Sequence, residues 1–289
     1  MARYRILHET EYQYSEPVLL SKHIAHLKPR VAPRNKWISH EISFFPEPAA
    51  MQVRTDIFGN PVNAFSVESR HTEFRAVAEG EVSVEPVALP DVKISWENVL
   101  MRLCSVQSAE DTDAVKYTFP SPLVAWDDGI KKFATDFFTS GRDYLEALIS
   151  MMTSISSEFK YLPMSTRIGT PVSEILRERH GVCQDFAHLM TGALRSIGLP
   201  ARYVSGYLRT HHAQTAEANI GADATHAWAS AYVPGAGWVD FDPTNNLVVS
   251  DQHVTVAWGR DFGDVSPLKG VIVGGGTHHV AVHVKVIPV

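Results

Sequence analysis

The stretch RHGVCQDFAHLM, Arg179 to Met190, puts one of the chain's two cysteines where an apolar helical spacing begins. A helix N-terminus carries partial positive charge and favours thiolate over thiol, and the thiolate is the nucleophilic form. Cys183 is therefore a candidate nucleophile, against the alternative of a small buried hydrophobe. Such a nucleophile needs a base for its proton, and the base needs an acceptor that orients it. Of the fourteen histidines, His226 in THAWASAYVPGAGWVDFDPT stands in the informative place. A hairpin with Pro234 at the centre of a three-residue loop sets Tyr232 opposite Ala236 and Ser230 opposite Trp238. Further out, Trp228 meets Asp240 and His226 meets Asp242. Directly opposed Cβ atoms lie about 4.5–5.5 Å apart, within reach of a His–Asp hydrogen bond. The register predicts a base–orienter pair of His226 and Asp242, with Asp240 left to Trp228.

The elements that must carry these residues can be read from periodicity. Residues 1 to about 90 form short alternating runs, among them ARYRILH, TEYQYS, ISFFPEP and NAFSVES, with Gly59-Asn60-Pro61 as a turn. Many short strands without a convincing helix predict a β-sandwich. From about 120 the period becomes helical. Ser121-Pro122 predicts a helix start leading into WDDGIKKFATDFF. Leu145, Leu148, Ile149, Met152 and Ile155 form a stripe, and VSEILRER is a short helix. After Cys183, the residues Phe186, Leu189, Met190, Ala193, Leu194 and Ile197 mark a helix face that Gly198 ends, with Pro200 beyond. Strands return in ARYVSGYL, THAWASAYV, WVDFD and HHVAVHVKVIPV. The glycines at 274–276 precede no helix and read as a turn. The fold class is α+β, with residues 1–100 as the N-terminal β-sandwich and 101–289 as a catalytic core that includes a C-terminal strand segment.

Composition bounds the function. The chain has 289 residues, a 45% hydrophobic share and a net charge of -6, which describes a globular protein without an obvious nucleic-acid partner. The N-terminus lacks the apolar core of a signal peptide, and no apolar run reaches membrane-spanning length. Cys104 and Cys183 make neither a disulfide framework nor zinc-site spacing. A reducing cytoplasm is the expected compartment.

GVCQDFAHLMTGALRSIGLPARYVSGY followed by THAWASAYVPGAGWVDFDPTNN resembles the transglutaminase-like cysteine enzymes: a Gly-x-Cys helix start, a His-Ala-Trp strand and a Gly-Trp…Asp-Pro-Thr strand occur in order. The resemblance continues in YRILHETEYQYSEPV, HLKPR and DIFGNPV, similar to the N-terminal β region of many bacterial members, and in the C-terminal DFGDVSPLKGVIVGGGTHHVAVHVKVIP. It implies a papain-like core in which a nucleophile helix packs on an antiparallel sheet. It also implies Cys183 as nucleophile, His226 as general base and Asp242 as its orienter. The activity that follows is thiol-dependent acyl transfer or hydrolysis on a peptide or carboxamide through a thioester. The catalytic residues are the same whether water or an amine accepts the acyl group. The acidic sites of calcium-dependent cross-linking members find no match, and no metal or other cofactor is expected. The partner is a peptide or protein substrate. The other reading is a catalytically silent binding protein on the same fold.

The oxyanion of the intermediate needs donors. The Cys183 backbone N–H is the first, and Tyr161 in FKYLP is the candidate second. Cys104 reads as structural, and His188 as a packing or hydrogen-bonding residue of the nucleophile helix. Trp228 and Trp238 read as core or cleft walls. His211-His212 falls in HHAQTAEANIGADA, a polar stretch that reads as a mobile loop rather than a metal site. His278 and His279 receive no role.

Overall fold

The structure, a computed structural model, describes residues 1–106, 108–209 and 225–289. His211 and His212 lie outside the described residues. The alternation of ARYRILHETEYQYS runs on through one long strand, β1 (Ala2–Ala25), which pairs along both of its edges. Then come β2 (Asn35–Phe45), β3 (Ala50–Thr55), β4 (Pro61–Val67) and β5 (His71–Val84). The two halves of β1 have different neighbours. Residues 2–13 run between β5 and the chain's last strand, whereas residues 21–25 run between β4 and the last strand but one. Ring side chains from both halves face one another: Phe44 packs on Phe65 at 4.1 Å between ring centroids, and the buried His23 stacks on Phe74 at 4.7 Å.

Helices α1 (Trp96–Cys104) and α2 (Ala109–Val115) follow, each capped by a serine, Ser95 and Ser108. The next helix, α3 (Asp128–Thr135), starts later than Ser121-Pro122 predicts. Asp127 caps it by accepting from Ile130 N–H, while Ser121 and Val124 close a local turn. An aspartate side chain that reaches the third residue's N–H is the stronger start signal. Helix α4 (Tyr144–Glu158) buries Leu145, Leu148, Met152 and Ile155 of the predicted stripe and half-buries Ile149. Short β6 (Lys160–Tyr161), α5 (Val172–Glu178) and β7 (His180–Gly181) lead to α6 (Cys183–Ser196), which ends at Gly198 with φ 86° as expected.

Five antiparallel strands form the second sheet, in the order β11-β10-β9-β8-β12: β8 (Ala201–Leu208), β9 (His226–Val233), β10 (Gly237–Asp242), β11 (Leu247–Val248) and β12 (His253–Gly259). Ala201, Ala229 and Ala231 share one apolar cluster with Phe186, Leu189 and Ala193 of α6, so α6 lies on this sheet. Small residues let the helix come close. After α7 (Phe262–Val265), β13 (Leu268–Gly274) and β14 (His278–Pro288) return to pair with β1. No described helix is long and apolar enough to cross a membrane.

Candidate active site

Cys183 is the first residue of α6, and Val182 is the N-cap. Valine has no side-chain acceptor, so the start is fixed from the other side. Asp185 folds back and accepts from Val182 N–H at 2.9 Å, and it also accepts from Thr166 Oγ1 at 2.6 Å. Gly181 makes room for this: a Cβ there would stand 2.9 Å from the Asp185 carboxylate. Neither Asp185 nor Thr166 was legible as a site residue from the sequence, although the acidic third position is a recognisable helix-start signal. The neighbouring strand pair is parallel, with Tyr161 opposite Gly181 and Leu162 N–H donating to Gly181 at 2.9 Å. Tyr161 is thereby anchored two residues from Cys183. Burial, then the Cys183 and Asp185 charges, push its phenol up to about 12, so it keeps its proton as a donor.

The β9–β10 hairpin has a different register from the predicted one. Val233 pairs with Gly237, Tyr232 with Trp238, Ser230 with Asp240 and Ala229 with Phe241. The loop is centred on Gly235, not Pro234, because Gly235 takes φ 86° while proline's ring holds φ near -65°. The pairing therefore slips by two residues, which preserves the face on which each side chain stands. His226 and Asp242 meet diagonally rather than directly. Diagonal partners lie about 7–8 Å apart, still within reach of long side chains. His226 Nε2 and Asp242 Oδ2 are 2.8 Å apart, and Trp228 Nε1 donates to Asp240 at 3.2 Å.

Both members of the His226–Asp242 pair are buried, at 1% and 0% exposure. Asp242 Oδ2 also accepts from His253 at 3.0 Å and from Asn245 Nδ2 at 2.8 Å. Its Oδ1 accepts the backbone N–H groups of Thr244 at 3.0 Å and Asn245 at 3.2 Å. Burial disfavours the carboxylate, but His226 and then His253 outweigh it and hold the group well below the usual carboxylate range. Burial likewise opposes charge on His226; the Asp242 carboxylate and then Cys183 overcome it and raise the imidazole to about 10. With Nε2 committed to Asp242, the buried Nδ1 is the free ring nitrogen. Cys183 lies near enough to the ring to help raise it, without a direct hydrogen bond to Nδ1. The structure thus brings Cys183, His226, Asp242 and Tyr161 into one neighbourhood.

His253 and Asn245 are the residues that sequence reasoning passed over. His253 starts β12 opposite Leu208, on the far side of β8 from β9, so its approach to Asp242 depends on strand order. Ligand atoms of His226, Asp242 and His253 all lie within 4.8 Å of one another. That spacing could hold a divalent ion, but the same atoms already bond to each other directly. His188, on the body of α6, accepts from Phe262 N–H at 3.1 Å and packs on Tyr203; it does not join the site. Cys104 is exposed at the end of α1. Trp228 is wholly buried in the core, and Trp238 is partly exposed on a groove.

Two family models match the chain: the transglutaminase-like superfamily core over residues 131–243 and the bacterial transglutaminase-like N-terminal region over residues 4–83. An uncharacterized protein of Mycobacterium tuberculosis (strain ATCC 25618 / H37Rv) is 35% identical over 99% of this chain and 93% of its own length. A Protein-glutamine gamma-glutamyltransferase of Pseudomonas aeruginosa is 28% identical over 33% of this chain and 15% of its own length. In fold, the chain is similar to a Cytophaga hutchinsonii protein, provisionally assigned as a cysteine protease. The TM-score is 0.76 at 20% identity, over 99% of this chain and 90% of that one. On these grounds the chain belongs to the transglutaminase-like superfamily, with its core joined to the N-terminal β region that bacterial members carry.

Proposed function

We propose that the protein is a cysteine enzyme that transfers or hydrolyses the acyl group of a peptide or carboxamide through a thioester on Cys183. In the resting site His226 Nδ1 takes the thiol proton, giving a thiolate and an imidazolium. The thiolate sulfur bonds to the substrate carbonyl carbon, and the carbonyl π pair moves onto oxygen. The Cys183 backbone N–H belongs to the first helical turn, whose N–H groups have no intrahelical acceptor; it is one oxyanion donor, and the Tyr161 phenol is the other. Collapse of the intermediate breaks the C–N bond, and the leaving amine takes the proton from His226. Water or an amine then attacks the thioester with His226 as base, and the thiol is restored. Asp242 holds the ring so that Nδ1 faces the sulfur throughout.

What supports this reading is Cys183 at a helix start, close enough to His226 to shift its imidazole, with Nε2 of that ring bonded to a carboxylate that has five donors. A polar pair with a purely structural role would not need a thiol beside it. A reducing compartment suits a reaction that needs that thiol free. Incubation with a peptide library, with and without an added primary amine, followed by product masses, tests the proposal. Products 18 Da heavier in total than the substrate indicate hydrolysis, and amine adducts indicate transfer. No product in either arm, with Cys183 intact, would favour the binding-protein reading.

A further inference from the structure

Arg202 stands on β8 opposite Ser230, on the sheet face that alternates with the alanines under α6. It is only 7% exposed. Its guanidinium lies between two indoles, with Cζ 3.7 Å from the Trp258 ring centroid and 4.3 Å from that of Trp238. Arg30 lies 3.1 Å from the Trp258 ring centroid and donates to Phe58 and Asn60, so that indole is held in place. Stacking fixes the plane of a guanidinium and uses none of its five N–H donors. Among the described residues Arg202 has no hydrogen bond or ion pair, and its Nε is buried without an acceptor. Of the nearby acids, Asp113 is engaged by Lys116 and Asp240 Oδ2 by Arg34 and Trp228. Asp240 Oδ1 has no partner among the described residues and acts on Arg202 through its charge alone, without a hydrogen bond or ion pair to it. Burial lowers the Arg202 pKa to about 10, which leaves it charged at neutral pH. A buried guanidinium whose Nε has no acceptor is costly until one arrives.

Arg202 lines a groove of about 810 Å³ whose apolar walls include Leu89, Trp238, Val239 and Trp258. We infer that this groove is a binding site for a monocarboxylate on an apolar body, the carboxylate being taken by the Arg202 fork. Paired N–H donors on a planar cation match two carboxylate oxygens. A phosphate dianion fits less well. Glu110, Asp113 and Asp240 line the groove against Arg34 and Arg202, three negative groups to two positive. The site is distinct from the thiol, since neither Cys183 nor His226 is among the described lining residues.

Calorimetric titration of the intact chain with 3-phenylpropionate, 3-phenylpropan-1-ol and inorganic phosphate tests this, with tryptophan emission as a second readout from Trp238 and Trp258. None of the three carries a carboxamide, so the proposed thioester chemistry does not intervene. The carboxylate should bind one to one and change the emission, at least about tenfold tighter than the alcohol or phosphate. Cys183→Ala should bind it unchanged. Arg202→Lys should weaken it at least about tenfold, because an ammonium cannot form the fork. Glu110→Gln, at an exposed position, should tighten it about two- to threefold by removing a like charge. If Arg202→Lys does not fold, the ligand comparison and Glu110→Gln still decide. Equal affinity for the alcohol, tighter binding of phosphate, no binding at millimolar concentration, or loss of binding in Cys183→Ala would each overturn the inference.

Discussion

Asp242→Asn probes the orienter through an atom count. Five donors converge on two carboxylate oxygens: His226, His253 and the Asn245 amide on Oδ2, and two backbone N–H groups on Oδ1. An asparagine must turn its NH₂ toward one of these sets. Facing the backbone, it strands two donors; facing His226, it strands up to three. Each stranded donor costs about 1–3 kcal/mol, so the variant loses roughly 2–6 kcal/mol in the milder orientation. In the other, the amide donates to Nε2 and forces the ring proton onto Nδ1, which can then no longer accept from the thiol. In Ser-His-Asp proteases that change lowers kcat by about 10⁴, close to 5 kcal/mol of barrier. A loss of about 10²–10⁴ in kcat/KM is expected here. Initial rates on a peptide identified by the library, with circular dichroism and a thermal midpoint on the same sample, separate catalysis from folding. Asp240→Asn, which touches Arg34 and Trp228 instead, should stay within about tenfold of the parent. Near-parental activity in Asp242→Asn together with collapse in Asp240→Asn would refute the assignment.

Three further outcomes are expected. Tyr161→Phe removes the proposed second oxyanion donor and should lower kcat by about 10²–10³ while the fold is kept; parental kcat would exclude the phenol from that role. Limited iodoacetamide at about pH 6 should label Cys183 before the more exposed Cys104 on the proposed pairing of the Cys183 thiol with His226; His226→Ala should reverse the order, and preference for Cys104 in the parent would contradict the pairing. Burial holds His8 and His188 neutral, both lowered to about 4, so the unfolded chain binds more protons than the folded one between there and about 6.5. Stability should fall as pH drops through that window, by up to about 1.4 kcal/mol per pH unit for each group. His226 acts oppositely: raised to about 10, it contributes fully below about 6.5 and loses that contribution as pH rises through about 10. Urea midpoints flat from pH 5 to pH 10 would contradict both signs.

What the sequence made legible was local. The helix stripes of α4 and α6, the Gly198 stop and the alternating strands follow from spacing within a few residues. His226 and Asp242 could be paired because their strands are joined by a short turn, and a two-residue slip changes the neighbour without changing the face. The loop centre was misread because Pro234 draws attention as a turn residue, while Gly235 supplies the positive φ. The rest depends on contacts that no local period encodes. The alternation in HHVAVHVKVIPV shows a strand, but not that it returns to β1, more than 250 residues away. His253 reaches Asp242 through the order of strands in the sheet, and Arg202 meets Trp238 and Trp258 across that same sheet.

The central claim is an acyl group on one sulfur. Intact-protein mass spectrometry after acid quench of a reaction with an activated peptide ester tests it directly. The account predicts a mass increase equal to the acyl group, mapped to Cys183, discharged by hydroxylamine and absent in Cys183→Ala. An adduct on Cys104, or one that persists in Cys183→Ala, would contradict it.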